Sequence, residues 1–221
     1  MIRALVFDFD GLIVETETPI LRAWQEIYRS YGQELPVERW KLTIGSDDSA
    51  FDALAELARL VAGLDLEAIK TRRKARELEL ATAQPLLPGV LDYIRHAREL
   101  GLMLAVASSS SYRWVGGQLQ RRGLLTAFDC IIPRDLVARV KPAPDLYRMA
   151  CETLGIKGNE AIALEDAPNG IRAAKAAGMF AVAVPHEHTR QMDFSMADMC
   201  VNSLADVSLE RLLAGIPAET T

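Results

Sequence analysis

The apolar positions of the chain change period twice. Residues 4–7 form a short unbroken apolar run, the pattern of a strand buried on both faces. From residue 19 the period lengthens. Ile20, Ala23, Trp24, Ile27 and Tyr28 recur at i, i+3, i+4 and i+7, as on one face of a helix, with Pro19 placed to open it and Gly32 to end it. Residues 36–40 predict a further short helix or turn, the loop 44–49 caps a helix over 50–62, and another helix runs over 65–83. Between residues 17 and 84 nothing reads as a strand, and Pro85, Pro88 and Gly89 punctuate the end of the block. Alternation then sets in, with helices predicted over 90–100, 112–122, 142–154 and 168–177 and strands over 102–107, 130–132, 161–164 and 180–184. Val201 marks a last edge strand. Strands alternating with helices predict an α/β fold, a doubly wound parallel sheet covered on both faces. An all-helical block interrupts it after the first strand, so residues 1–15 and 85–221 form the core and 16–84 a separate small helical domain.

Composition narrows the function classes. Half of the 221 residues are hydrophobic and the net charge is −5. The most basic stretch, Lys70 to Arg76, is interleaved with Glu67, Glu77 and Glu79 and reads as a solvated helix face rather than a nucleic-acid surface. Cys130, Cys151 and Cys200 are odd in number, far apart and without metal-ligand spacing, which predicts buried thiols in a reducing compartment. The first strand begins almost at Met1, leaving no room for a signal peptide, and no apolar run approaches the ~20 residues of a membrane span. The expectation is a soluble cytoplasmic protein with no nucleic-acid or membrane partner, monomeric, with a dimer left open. The tail from Ala214 is expected to fray.

Four strand ends, or the loops beyond them, carry candidate chemistry. Asp8 and Asp10 close the first strand. In an extended segment i and i+2 point the same way, so the two carboxylates can converge at the strand's carboxyl end, where open α/β sheets place their ligands. Two carboxylates so close repel, which calls for a divalent cation, a basic partner or a shared proton. Ser108 and Ser109 follow the strand over 102–107 and open a helix, a setting suited to phosphate. Lys141 precedes Pro142, which holds it extended and begins a helix. Glu165 and Asp166 end the strand over 161–164, and Pro168 opens the next helix. Taken singly, each is an ordinary turn, cap or surface charge. Together, at the strand ends of one parallel sheet, they make a complete set for phosphoryl transfer with a hard cation such as Mg²⁺.

In this combination and order the segments Asp8-Phe9-Asp10-Gly11-Leu12-Ile13, Val106-Ala107-Ser108-Ser109-Ser110, Lys141-Pro142-Ala143-Pro144-Asp145 and Glu165-Asp166-Ala167-Pro168-Asn169-Gly170 resemble the four motifs of haloacid dehalogenase (HAD) superfamily hydrolases. The likeness is to the branch of β-phosphoglucomutases and sugar-phosphate phosphatases, and the helical block is similar to that branch's inserted cap. The resemblance implies that Asp8 attacks phosphorus and becomes an aspartyl phosphate, while Asp10 serves as general acid and then base. It implies Mg²⁺ held by Asp8, the backbone carbonyl of Asp10, Asp166, and Glu165 directly or through water. Ser108, the Ser109 N–H and Lys141 hold the phosphoryl group in the same scheme. Asp10 argues for phosphate chemistry, since halide release needs no acid. A Schiff-base lysine of the phosphonatase kind is not identified, with Lys41 left open. The mutases resemble the chain at Thr16 and Trp24 but carry His where Ile20 stands and Arg in the loop here read as Gly45-Ser46-Asp47-Asp48. A monoester hydrolase acting on a small phosphorylated metabolite, a sugar phosphate above all, is therefore favoured over a mutase. Glu17, Ile44, Gly45 and Ser46 are the candidates for reading the substrate, and Trp24 is assigned to the cap's core. Glu15 stands where the family has Asp. Of the rivals, a phospho-accepting receiver module carries its acid pair and acceptor on different strands, and a DxD glycosyltransferase gives Lys141, Glu165 and Asp166 no role.

Overall fold

The computed structural model describes residues 1–40 and 51–216. Its strands are β1 (Ala4–Phe7), β2 (Met103–Ala107), β3 (Cys130–Ile132), β4 (Ala161–Glu165), β5 (Phe180–Ala183) and β6 (Met199–Cys200). They form one sheet in the order β3-β2-β1-β4-β5-β6, and every pairing is parallel. The chain winds outward from β1 to β3, then crosses back to β4 and winds the other way. The reversal falls between β1 and β4, and there the carboxyl ends of an open sheet leave a crevice. The register sets the depth of the residues just past each strand: Phe7 lies level with Val106 and Leu164, and Asp8 donates its N–H to the Leu164 carbonyl at 2.9 Å.

The two faces of the sheet differ in bulk. Ala4, Ala105, Ala107, Ala161, Ala163, Ala181 and Ala183 share one face with Val6, because alternate residues of a strand point to opposite sides. Against this low face pack α7 (Asp145–Leu154), through Leu146, Tyr147, Ala150 and Cys151, and α8 (Pro168–Ala176), through Ile171, Ala173 and Ala174. The opposite face presents Leu5, Phe7, Leu104, Val106, Ile162, Leu164 and Val182, all fully buried. Phe7 meets Phe128 edge-on at 5.8 Å. Helix α5 (Val90–Glu99) lies against β2 and α6 (Tyr112–Arg121) against β3.

Chain contacts divide the molecule into one unit of Met1–Ile13 with Leu86–Thr221 and a second of Val14–Pro85. Within the first, the Leu87 N–H donates to the Ile13 carbonyl at 3.0 Å, so the two points where the insert departs and returns are clasped together. The second unit holds α1 (Glu17–Ser30), α2 (Val37–Trp40), α3 (Ala53–Leu60) and α4 (Leu66–Thr82). Asp52 and Asp65 cap α3 and α4 by accepting backbone N–H groups at 2.9–3.1 Å. Its core is Ala23, Ile27, Tyr28, Leu57 and Ile69, with the Tyr28 hydroxyl donating to the Ala53 carbonyl at 2.7 Å. Trp24 packs edge-on to Tyr28 and beneath Arg73, half-buried. Glu15 accepts the Thr18 N–H at 2.9 Å and so supplies the cap bond that Thr16 does not make.

Several sequence readings are corrected. Helix α7 starts at Asp145, not at Pro142: Ala143 precedes Pro144 and is thereby disfavoured from helical backbone. The helix expected over 50–62 is the shorter α3, set by its Asp52 cap. A further helix, α9 (Leu209–Ala214), capped by Ser208, has no counterpart in the sequence reading. The thiols are free, but Cys151 is buried, Cys130 half-buried and Cys200 exposed on the edge strand. No helix among the described residues is long and apolar enough to cross a membrane. The frayed tail is a reading that lies, from residue 217 on, outside the described residues.

Candidate active site

The strand ends bring four buried charges together. Asp8 directly follows β1, Glu165 ends β4 and Asp166 follows it, while Lys141 arrives from the loop before α7. The Lys141 ammonium touches Asp8 Oδ1 and lies 2.6 Å from Glu165 Oε1. Oxygens of Asp8, Glu165 and Asp166 lie within 4.8 Å of one another. All four side chains are less than one-tenth exposed. Tyr147, rising from α7 through the alanine face, donates its hydroxyl to Glu165 Oε1 and puts its ring 5.1 Å from the Lys141 ammonium.

Electrostatics follow from this crowding. Burial pushes the Asp8 carboxyl up to about 7, with Lys141 opposing and Glu165 and Asp10 adding to the rise. Burial likewise raises Glu165 and Asp166, against the pull of Lys141 on the first and of His186 on the second. Burial pulls the Lys141 ammonium down, but Asp8 and Glu165 outweigh it and hold it above its ordinary value. Three carboxylates thus face one ammonium, an excess of buried negative charge that a divalent cation would balance. Convergent carboxylate oxygens are the donor set of a hard cation, so the residues present fit Mg²⁺.

Asp10 takes a different direction from Asp8. Its Oδ2 accepts from the Ser110 hydroxyl at 2.6 Å and its Oδ1 from the Trp114 indole N–H at 2.8 Å. Asp8 faces the lysine and the acid pair, while the Asp10 carboxylate is held at the start of α6, near enough that its charge still raises Asp8. Ser108 is buried and accepts the Ser110 N–H at 3.0 Å, the hydroxyl turn that shapes the loop after β2, and Ser109 follows it half-buried. Glu17 sits in the first turn of α1. Ile44, Gly45 and Ser46, like Lys41, lie outside the described residues.

Sequence reasoning missed Tyr147, Ser110, Trp114 and His186. Ser110 was legible within the serine run. Trp114 and Tyr147 sit at apolar helix positions, and only their polar tips reach the site. His186 lies in the loop after β5, with its Nε2 2.9 Å from Asp166 Oδ2.

Two glycines make the crowding possible. At Gly11, φ is +81° and a Cβ would fall 2.2 Å from Asp166 Oδ2. At Gly170 a Cβ would fall 1.9 Å from the Glu165 carboxyl carbon and 2.0 Å from both its oxygens. Gly170→Ala is therefore expected to displace Glu165 from Lys141 and Tyr147, costing about 1–3 kcal/mol by overpacking alone. Chemical denaturation checks the stability, and an activity assay should show at least a tenfold loss; a variant with unchanged stability and activity would contradict the geometry.

A family model described as haloacid dehalogenase-like hydrolase matches residues 2–178. The chain is 40% identical over 216 residues to YhcW of Bacillus subtilis (strain 168), designated a candidate phosphatase, covering 96% of this chain and 97% of that one. It is 32% identical over 185 residues to the fructose-1-phosphate phosphatase YqaB of Escherichia coli (strain K12), covering 81% and 95%. The crystal structure of a CbbY mutant from Rhodobacter sphaeroides in complex with xylulose-(1,5)bisphosphate superposes with a TM-score of 0.78 at 33% identity, over 96% of this chain and 99% of that one.

Proposed function

The chain belongs to the haloacid dehalogenase-like hydrolases and is a phosphoric monoester hydrolase, and from that premise we propose that it releases phosphate from a small sugar phosphate through an aspartyl phosphate on Asp8. The observation that carries this reading is the buried group of Asp8, Lys141, Glu165 and Asp166 at the crevice between β1 and β4. The sugar-phosphate class is supported by the fructose-1-phosphate phosphatase and by the bisphosphate complex of the structural relative.

In the first half-reaction an Asp8 oxygen attacks phosphorus, a P–O bond to the carboxylate forms, and the ester P–O bond breaks. The departing alkoxide takes a proton from Asp10. In the second, water attacks the phosphoaspartate, Asp10 takes the water's proton, and inorganic phosphate leaves with Asp8 restored. Trp114 fixes where that proton rides. An indole N–H only donates, so Oδ1 of Asp10 is an acceptor in both halves. The acid proton therefore sits on Oδ2, beside the Ser110 hydroxyl, which can turn to accept it. Lys141 neutralises Asp8 and the incoming phosphoryl group, and Ser108 with the Ser109 N–H holds phosphoryl oxygens. Asp8, Glu165, Asp166 and the Asp10 carbonyl would hold Mg²⁺, which when bound would supply the charge against which carboxylate and phosphate, both anions, can meet. The helical unit, through Glu17, Ile44, Gly45 and Ser46, carries the choice of substrate.

The test is phosphate release from a panel of pentose and hexose monophosphates and bisphosphates, with Mg²⁺ and with chelator. Release that requires Mg²⁺ and is strongest on sugar phosphates is the expected result. Release from none of them, or undiminished release in chelator, would overturn the reading. In the same assay Asp10→Asn is expected to lose about 10²–10⁴ in kcat, the contribution of a positioned acid and base, with its circular dichroism unchanged.

A further inference from the structure

We infer that His186 is a positioning residue that fixes the carboxylate of Asp166 for the cation, an inference that rests on the reading of Asp166 as a metal ligand. His186 stands three residues beyond β5, the neighbour of β4, and the pairing of Ala183 with Glu165 brings the loop alongside Asp166. The ring is nearly buried, at 10% side-chain exposure. Its Nδ1 accepts the backbone N–H of His188 at 3.3 Å. In the neutral imidazole one nitrogen accepts and the other carries the hydrogen, so the hydrogen lies on Nε2 and is donated to Asp166 Oδ2, 2.9 Å away.

The same bond excludes His186 as a ligand in its own right. A ligating Nε2 needs its lone pair, which would move the hydrogen to Nδ1, where the His188 N–H already points. The backbone around the ring is fixed in turn. The His186 N–H donates to Thr189 Oγ1 at 3.1 Å, and the N–H groups of Thr189 and Arg190 return to the His186 carbonyl at 3.1 and 2.9 Å. Thr189 is fully buried. On the far side, a Cβ at Gly11 would lie 2.2 Å from Asp166 Oδ2 and 2.9 Å from His186 Nε2, so the missing side chain is what leaves room for the pair. Of the two carboxylate oxygens of Asp166, one is thus tied to the imidazole and its rotamer set. Hydrogen-bond partners of ligating groups typically contribute 10–100-fold in metal affinity by orienting the ligand.

The experiment measures Mn²⁺ binding directly, from the electron paramagnetic resonance of the free ion, on wild type, His186→Phe, His186→Ala, His186→Gln and Asp166→Asn. Gln places an N–H donor near the position of Nε2; Phe and Ala have none. The expected result is a dissociation constant raised about 10–100-fold in the Phe and Ala variants and within about threefold of wild type in the Gln variant. At saturating Mn²⁺ the substrate KM should be unchanged in all three. Wild-type affinity in both donorless variants would overturn the inference and leave the phosphatase reading standing. So would an equal loss in the Gln variant, or loss of fold in both donorless variants by circular dichroism, since either makes the ring a packing element. If wild type takes up no Mn²⁺, or Asp166→Asn binds it equally well, the metal reading itself falls and this inference with it.

Discussion

Asp8→Asn is expected to lower phosphate release by about four to six orders of magnitude, the scale seen when an enzyme's nucleophile is removed. The amide keeps the shape of the carboxylate but not its nucleophilic lone pairs, so no covalent intermediate forms and Asp10 has no leaving group to protonate. Stability should move the other way or not at all. Burial is the dominant influence on Asp8 and works against its charge, and Lys141 keeps Glu165 as a partner at 2.6 Å when the Asp8 charge is gone. A melting temperature equal to or above that of wild type, with activity gone, would show a group placed for chemistry at some expense of stability. Burst kinetics and acid-quench phosphorylation with a labelled sugar phosphate check it: label on wild type, none on the variant. A variant that turns over at a tenth of the wild-type rate would end the assignment of Asp8.

Lys141→Met is expected to have the largest effect on the fold. Methionine fills a similar volume, but it leaves Asp8 and Glu165 buried without their shared counter-charge. Breaking a buried pair by removing one partner costs about 3–5 kcal/mol, which for a chain of this size is a drop in melting temperature of roughly 6–20 °C. The measurement is thermal unfolding in chelator and again in excess Mg²⁺. The cation should raise the melting temperature of the variant by more than that of wild type, because more negative charge is left for it to balance. Equal melting temperatures for the two proteins in chelator would mean that the carboxylates shed their charge by protonation, and that Lys141 serves the phosphoryl group alone.

The features legible in the sequence are the local ones. Asp8, Ser108 and Glu165 could be placed because each ends or directly follows a short apolar run, and the sheet's strand order carries strand ends to one crevice whatever the side chains beyond them do. The strand positions needed only the period of the apolar residues. Other features depend on depth or direction, which spacing does not carry. Tyr147 occupies an apolar position of α7, and its role appears only because the alanines beneath it let the hydroxyl reach Glu165. Trp114 and Ser110 hold the Asp10 carboxylate, an effect of where α6 begins. His186 is distant in sequence from Asp166, and only the pairing of β4 with β5 brings them together. The start of α7 differs from its sequence reading for a reason that is itself local: a residue before proline resists helical backbone, and Ala143 is one.

The clasp between Ile13 and Leu87 has a meaning for how such a protein can change. A backbone hydrogen bond closes the catalytic unit at the place where the 14–85 unit leaves and rejoins it. Loop closure depends only weakly on the length of the enclosed segment. The catalytic unit is therefore nearly indifferent to the passenger carried between those two residues. Passengers can lengthen, shorten or be exchanged by recombination while β1 still delivers Asp8 to the same address, which lets the inserted unit drift at one tempo and the strand-end residues stay still at another.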